Sequence, residues 1–125
     1  MPATTLYSNL TAEDLTLGDV DALVGYLTPR LEKAKEDAPR GSDVSRALST
    51  LRRLLEAQAE DTRSVFAVAP VTENLLDARK RQWNNLTRLA LAWHTKDDFS
   101  DRWNLIHYRD AAAVAEAAAW RLSRL

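Results

Sequence analysis

The stretch VSRALSTLRRLLEAQAEDTRSVFAVA, Val44 to Ala69, decides the fold class. Over about 26 residues no Gly or Pro interrupts its helical period. Val44, Leu48, Leu51, Leu55, Ala59, Val65, Phe66 and Ala69 fall on one face, with Arg46, Arg53, Glu56 and Glu60 on the other. At 1.5 Å per residue this is a rod of roughly 39 Å. A one-sided rod of that length is not stable alone in water. It must bury its stripe against other helices or another chain.

Upstream, Thr16 and Asp19 stand at capping-box spacing, and Leu15 with Val20 at hydrophobic-staple spacing. Val20, Leu23, Val24, Leu27, Leu31 and Ala34 then continue one stripe through Pro29 without a change of phase. Two readings follow. One is a single helix over about 17–37, kinked at a solvent-facing Pro29, with Gly25 relieving crowding. The other is two short helices, the second capped by Thr28 with Pro29 in its first turn. The breaker Ala38-Pro39-Arg40-Gly41-Ser42 comes next, with Ser42 or Asp43 as the following cap. So short a link predicts antiparallel neighbours.

Downstream, Pro70 ends the long helix and Thr72 caps a third, running to about Thr95 with the stripe Leu75, Leu76, Trp83, Leu86, Ala90 and Trp93. Phe99, Trp103 and Ile106 predict either a short helix or an irregular packed segment. The run from about Arg109 to Arg124 is dictated helical by its alanines. The expectation is an all-α antiparallel bundle of four main helices, with that irregular or helical aromatic segment before the last. Residues 1–15 form an N-terminal arm with Leu6, Tyr7 and Leu10 to pack, and 16–125 a single domain.

Composition narrows the function classes. The chain has 125 residues, 46% of them apolar and 28% charged, the balance of one soluble globular domain. Its formal charge of -1 gives no overall pull toward nucleic acid or an anionic membrane. The absence of Cys removes disulfides, thiolate nucleophiles and Cys-ligated zinc, and fits a cytoplasmic location. Met1 to Leu17 lacks the basic-then-apolar pattern of a signal peptide, and no stretch has the 18 or more apolar residues of a membrane span.

Four departures from the apolar pattern are candidate sites. Arg79 lies within the stripe of the third helix, where a guanidinium must snorkel, pair with a carboxylate or face an anion. Gln58 and Thr62 break the stripe of the second helix one turn apart. In an antiparallel pair they come to similar heights as Arg79, so the three form either a satisfied polar network or a small-ligand site. The third helix region, Glu73 to Lys96, carries a net +3, with Lys80, Arg81 and Arg88 off the stripe and Asn84 and Asn85 on the same outer face. That is the make-up of a nucleic-acid-binding helix, and equally of a solvated face. No helix-turn-helix turn accompanies it. Trp120, off the stripe of the last helix, is either an interface anchor or buried from a second side.

Catalytic signatures are missing. His94 with Asp97 and Asp98, or His107 with Asp110, lacks the spacing of a metal site or an acid–base pair, and there is no Gly-rich phosphate loop. No enzyme activity, metal or cofactor is expected. The leading expectation is a non-enzymatic helical module that binds itself or another protein. The first alternative is a nucleic-acid-binding regulator on the third helix, and the second a small-ligand site around Arg79. No membrane partner is expected. Acidic charge over Leu10–Asp37, net -4, faces the basic third helix as a source of attraction within or between copies.

Overall fold

The computed structural model describes Ser8 and residues 10–106. Three α-helices follow in chain order: α1 over Leu17–Asp37, α2 over Asp43–Ala67 and α3 over Glu73–Ala90. A 3₁₀ turn, Leu91–Trp93, continues the last of them. The described chain is all-helical, with three helices where the sequence predicts four. The Ala-rich segment expected to form the fourth, with Trp120, lies outside the described residues, as do His107, Asp110 and the first residues of the arm.

Each helix starts where its cap dictates. Thr16 N–H donates to Asp19 Oδ2 at 2.8 Å and Asp19 N–H to Thr16 Oγ1 at 3.3 Å, a complete capping box. The staple residues Leu15 and Val20 are both buried. Ser42 and Thr72 accept from Ser45 and Leu75 N–H in the same way. α1 passes unbroken through Pro29, so the continuous reading holds. Pro29 has no N–H to offer the Gly25 carbonyl; both residues are exposed, which leaves that carbonyl toward water. Gly25 does not relieve crowding, because a Cβ there would meet nothing within 4 Å.

Charge pairs fix the α1–α2 register. Glu32 Oε1 accepts from Arg52 at 2.6 Å and Asp21 Oδ1 from Arg63 at 2.7 Å. Moving down one helix by the spacing of these acids moves up the other by the same number of residues, so the two are antiparallel. α3 packs antiparallel on another side of α2 through Gln58 and Gln82. α1 and α3 barely touch; both lean on α2. The attraction expected between acidic α1 and basic α3 is realised instead between α1 and arginines of α2 and of the segment after α3.

That segment, residues 94–106, is irregular rather than helical and fills the gap between α1 and α3. Phe99, Leu105 and Ile106 are buried. Tyr26 of α1 packs edge-on against Phe99 at 5.6 Å, a geometry aromatic rings prefer, and tilted against Trp103 at 4.9 Å. Trp83, fully buried at the centre, donates its Nε1–H to the Asn104 carbonyl at 2.9 Å. Asn84 Nδ2–H donates to the Ile106 carbonyl at 2.9 Å and its Oδ1 accepts from Ile106 N–H at 2.8 Å, the pairing a neighbouring strand would offer. Asn84 is thus buried, not on the outer face as the sequence suggested, because residues 104–106 lie over it.

Two further expectations change. α3 stops at Ala90 rather than near Thr95, where its last turn tightens into the 3₁₀ form. Val44, assigned to the apolar stripe, is 59% exposed. Gln82 meets Gln58 and Thr62, so Ala90 comes level with about residue 52, and the first turns of α2 run past the end of α3.

Candidate functional site

The candidate residues divide into an internal polar layer, a helix cap and two surfaces. In the layer, Gln58 Nε2–H donates to Gln82 Oε1 at 2.7 Å, and Thr62 Oγ1–H has the carbonyls of Gln58 at 2.7 Å and of Gln82 at 3.2 Å within reach. Thr62 is fully buried and satisfied. The residue that sequence reasoning missed is Gln82, although the signal was there. Leu75, Arg79, Gln82, Leu86 and Leu89 recur in alternating steps of four and three, as do Leu51, Leu55, Gln58, Thr62 and Val65 of α2. These are two facing seams with a matched polar step in each.

Arg79 does not join this layer. Its Nε–H donates to the Val65 carbonyl at 2.9 Å, and its Nη2 to those of Phe66 at 3.2 Å and Val68 at 3.1 Å. The guanidinium carbon lies 5.2 Å from the centre of the Phe66 ring. The last carbonyls of α2 have no intrahelical partner, and its last turn carries no basic residue. Arg79 supplies both donors and positive charge to that end from the neighbouring helix.

The outer face of α3 is thinner in cations than the sequence implies. Arg81 is exposed, and Arg88 donates to Asn85 Oδ1 at 3.0 Å. The Lys80 side chain is only 20% exposed, with Nζ 3.9 Å from Asp77.

At the other end of α3 the chain leaves α2 through Ala67, Val68, Ala69, Pro70 and Val71, all exposed, with Val68 and Val71 at 52% each. Leu17, at 39%, is at the same pole, because Asp21 pairs with Arg63 and so places the start of α1 level with the end of α2. A run of five exposed apolar residues with no charge is more than the single surface hydrophobes every protein carries.

Titratable groups near these surfaces are held structurally. Arg102 holds Asp19 below the usual carboxylate range, through paired contacts of 2.9 Å from Nε and Nη2, and also donates to the Asp14 carbonyl. The same carboxylate raises Arg102. Asp98 is lowered chiefly by the Tyr26 hydroxyl, which donates to it at 2.8 Å, with Arg30 as its ion-pair partner. Burial, then that same hydrogen bond, raises Tyr26. His94 Nδ1 lies 2.7 Å from the Leu91 carbonyl, a local turn contact. Among the described residues, no group of three or more His, Asp or Glu side chains is placed to hold a metal ion. No helix among them is long and apolar enough to cross a membrane. Compared with known protein families, with curated proteins and with solved structures, the chain matches none.

Proposed function

We propose that the protein is a non-enzymatic helical interaction module of the cytoplasm that associates with itself or with another protein. The observation carrying this reading is the exposed apolar run Ala67–Val71. Val68 and Val71 remain half in water at a pole where the helix below them is capped and the core beside them, at Phe66, is closed. Apolar surface left exposed beside a capped helix end and a closed core is the usual mark of a contact surface. The conversion of each conspicuous polar residue, Arg79, Gln58 and Thr62, into an internal hydrogen bond also favours a scaffold over a small-ligand site.

The test is solution mass by light scattering at low and high salt, with absorbance at 260 and 280 nm, on the wild type and on Val68→Asp/Val71→Asp. The reading expects a defined assembly, or a defined partner, free of nucleic acid, with any contact made through the apolar run lost in the double variant while the helical signal is kept. A wild type that is monomeric and partnerless in both salts overturns it. Nucleic acid carried at low salt and shed at high salt overturns it in favour of Arg81 and Arg88 on α3.

A further inference from the structure

The charges that α1 turns toward its neighbours are used inside the molecule. Asp19 is held by Arg102, Asp21 by Arg63, Arg30 by Asp98 and Glu32 by Arg52. The outer face of α2 is different. Arg53, Glu60 and Asp61 are exposed, and no ion pair joins them to any described residue. They are also sorted along the helix, the cation toward its start and the acids toward its end. Arg53 and Glu60 lie two turns apart on one flank, Leu54 and Asp61 on the other, and exposed Ala57 runs between the flanks. Leu54 is 54% exposed in the middle of this face.

We infer that α2 pairs with α2 of a second copy, antiparallel, about a two-fold axis passing beside Ala57. In that arrangement Arg53 of each copy comes level with Glu60 of the other, so one sorted face satisfies itself twice. Leu54 of each copy covers the other near Ala57, where a small side chain lets the helices approach. The alternatives fit less well. On α3 the outward face carries two cations, Arg81 and Arg88, against Asp77, which already lies beside Lys80, so it complements its own copy less evenly. Docking the acids of α2 on the cations of α3 is a heterologous contact, which closes into a ring or runs on as an open chain and does not let one face satisfy itself twice. The inference rests on the interaction reading for the fact of association, not for the surface. It adds a consequence: the apolar runs at Ala67–Val71 point to opposite ends of the pair, about 30 Å apart at 1.5 Å per residue, so the pair is bivalent.

Charge reversal and crosslinking test it on the full chain. Arg53→Glu and Glu60→Arg, both at exposed positions, each weaken pairing by at least about tenfold in sedimentation equilibrium, since each contact occurs twice. The double variant Arg53→Glu/Glu60→Arg restores it. The chain has no cysteine, so Ala57→Cys gives a covalent dimer under mild oxidation, and Val71→Cys, far from the axis, does not. A defined dimer insensitive to the single reversals, or one crosslinked through Val71→Cys instead, overturns this inference and leaves the interaction reading standing. Masses that grow without limit overturn it in favour of α2-on-α3 chains. A strict monomer overturns it together with the self-associating form of the reading.

Discussion

The C-terminal half of α2, from Leu55 to Ala67, lies between α1 and α3 and is capped by Arg79, whereas its first turns, from Asp43, run past the end of α3. The residue types differ little between the halves. Leu55, Ala59, Thr62 and Phe66 are buried in one, while Leu48 and Leu51 are half-buried and Val44 is exposed in the other. Burial along an amphipathic helix is therefore set by how far its neighbours reach, not by the stripe itself.

The largest expected difference between the halves is in truncation. Leu55→Ala removes a side chain that is 1% exposed and costs about 2–5 kcal/mol, whereas Leu48→Ala costs about 1 kcal/mol, because part of that side chain is in water already. Urea unfolding of both variants measures the ratio, and equal costs would mean that the two halves are equally covered. Amide exchange should show the same gradient, with the first turns of α2 opening more easily than Leu55–Phe66.

Next in size is the clamp that closes the covered half. Asn84→Ala leaves the buried Ile106 N–H and C=O without their partner and is expected to cost about 2–3 kcal/mol. In contrast, Thr87 Oγ1 is buried with no hydrogen-bond partner among the described residues, so Thr87→Val is expected to stabilise by about 1 kcal/mol. Opposite signs from two buried polar residues one turn apart on α3 are the check. Loss of stability in Thr87→Val would show that its hydroxyl has a partner.

The cap comes after that. Arg79→Ala should lower stability by about 1–2 kcal/mol, through two part-buried carbonyls left unpaired, a third returned to water and a lost ring contact. Arg79→Lys recovers only part, since an ammonium cannot reproduce the fork. A cost confined to stability sharpens the structural role of Arg79. Unchanged stability would reopen it as a ligand residue.

The sequence made the helices legible because their signals are local. Thr16, Ser42 and Thr72 announce the starts, and alternating apolar spacing gives the faces. It placed Gln58 and Thr62 in one polar layer but supplied the wrong third member. Arg79 and Gln82 share the α3 seam, one turn apart, and helix ends attract a guanidinium through backbone carbonyls that no side-chain pattern displays. Asn84 was misread for a related reason. Its partner is the main chain of Ile106, in an irregular segment whose path follows from tertiary packing alone. The apolar run at Val68–Val71 was written plainly in the sequence, but its exposure depends on where α1 and α3 stop short.

The smallest effect separates two ion pairs of α1. Asp19, whose side chain is 14% exposed, meets Arg102 through paired contacts, whereas Glu32, at 52%, meets Arg52 nearer the uncovered end of α2. At neutral pH Asp19→Asn should cost about 1 kcal/mol and Glu32→Gln about 0.3 kcal/mol. The pH dependence identifies the cause. The carboxyl of Asp19 is lowered in the folded chain chiefly by Arg102, so it binds a proton less readily when folded than when unfolded. Its contribution is then full above the ordinary value of 3.8 and fades as pH falls below it toward the folded value. Denaturant midpoints of wild type and Asp19→Asn should therefore converge below pH 3.8 and run parallel above it. A gap that persists undiminished in acid would assign the loss to the capping geometry at Thr16, which a neutral amide also disturbs, rather than to the charge that Arg102 holds in place.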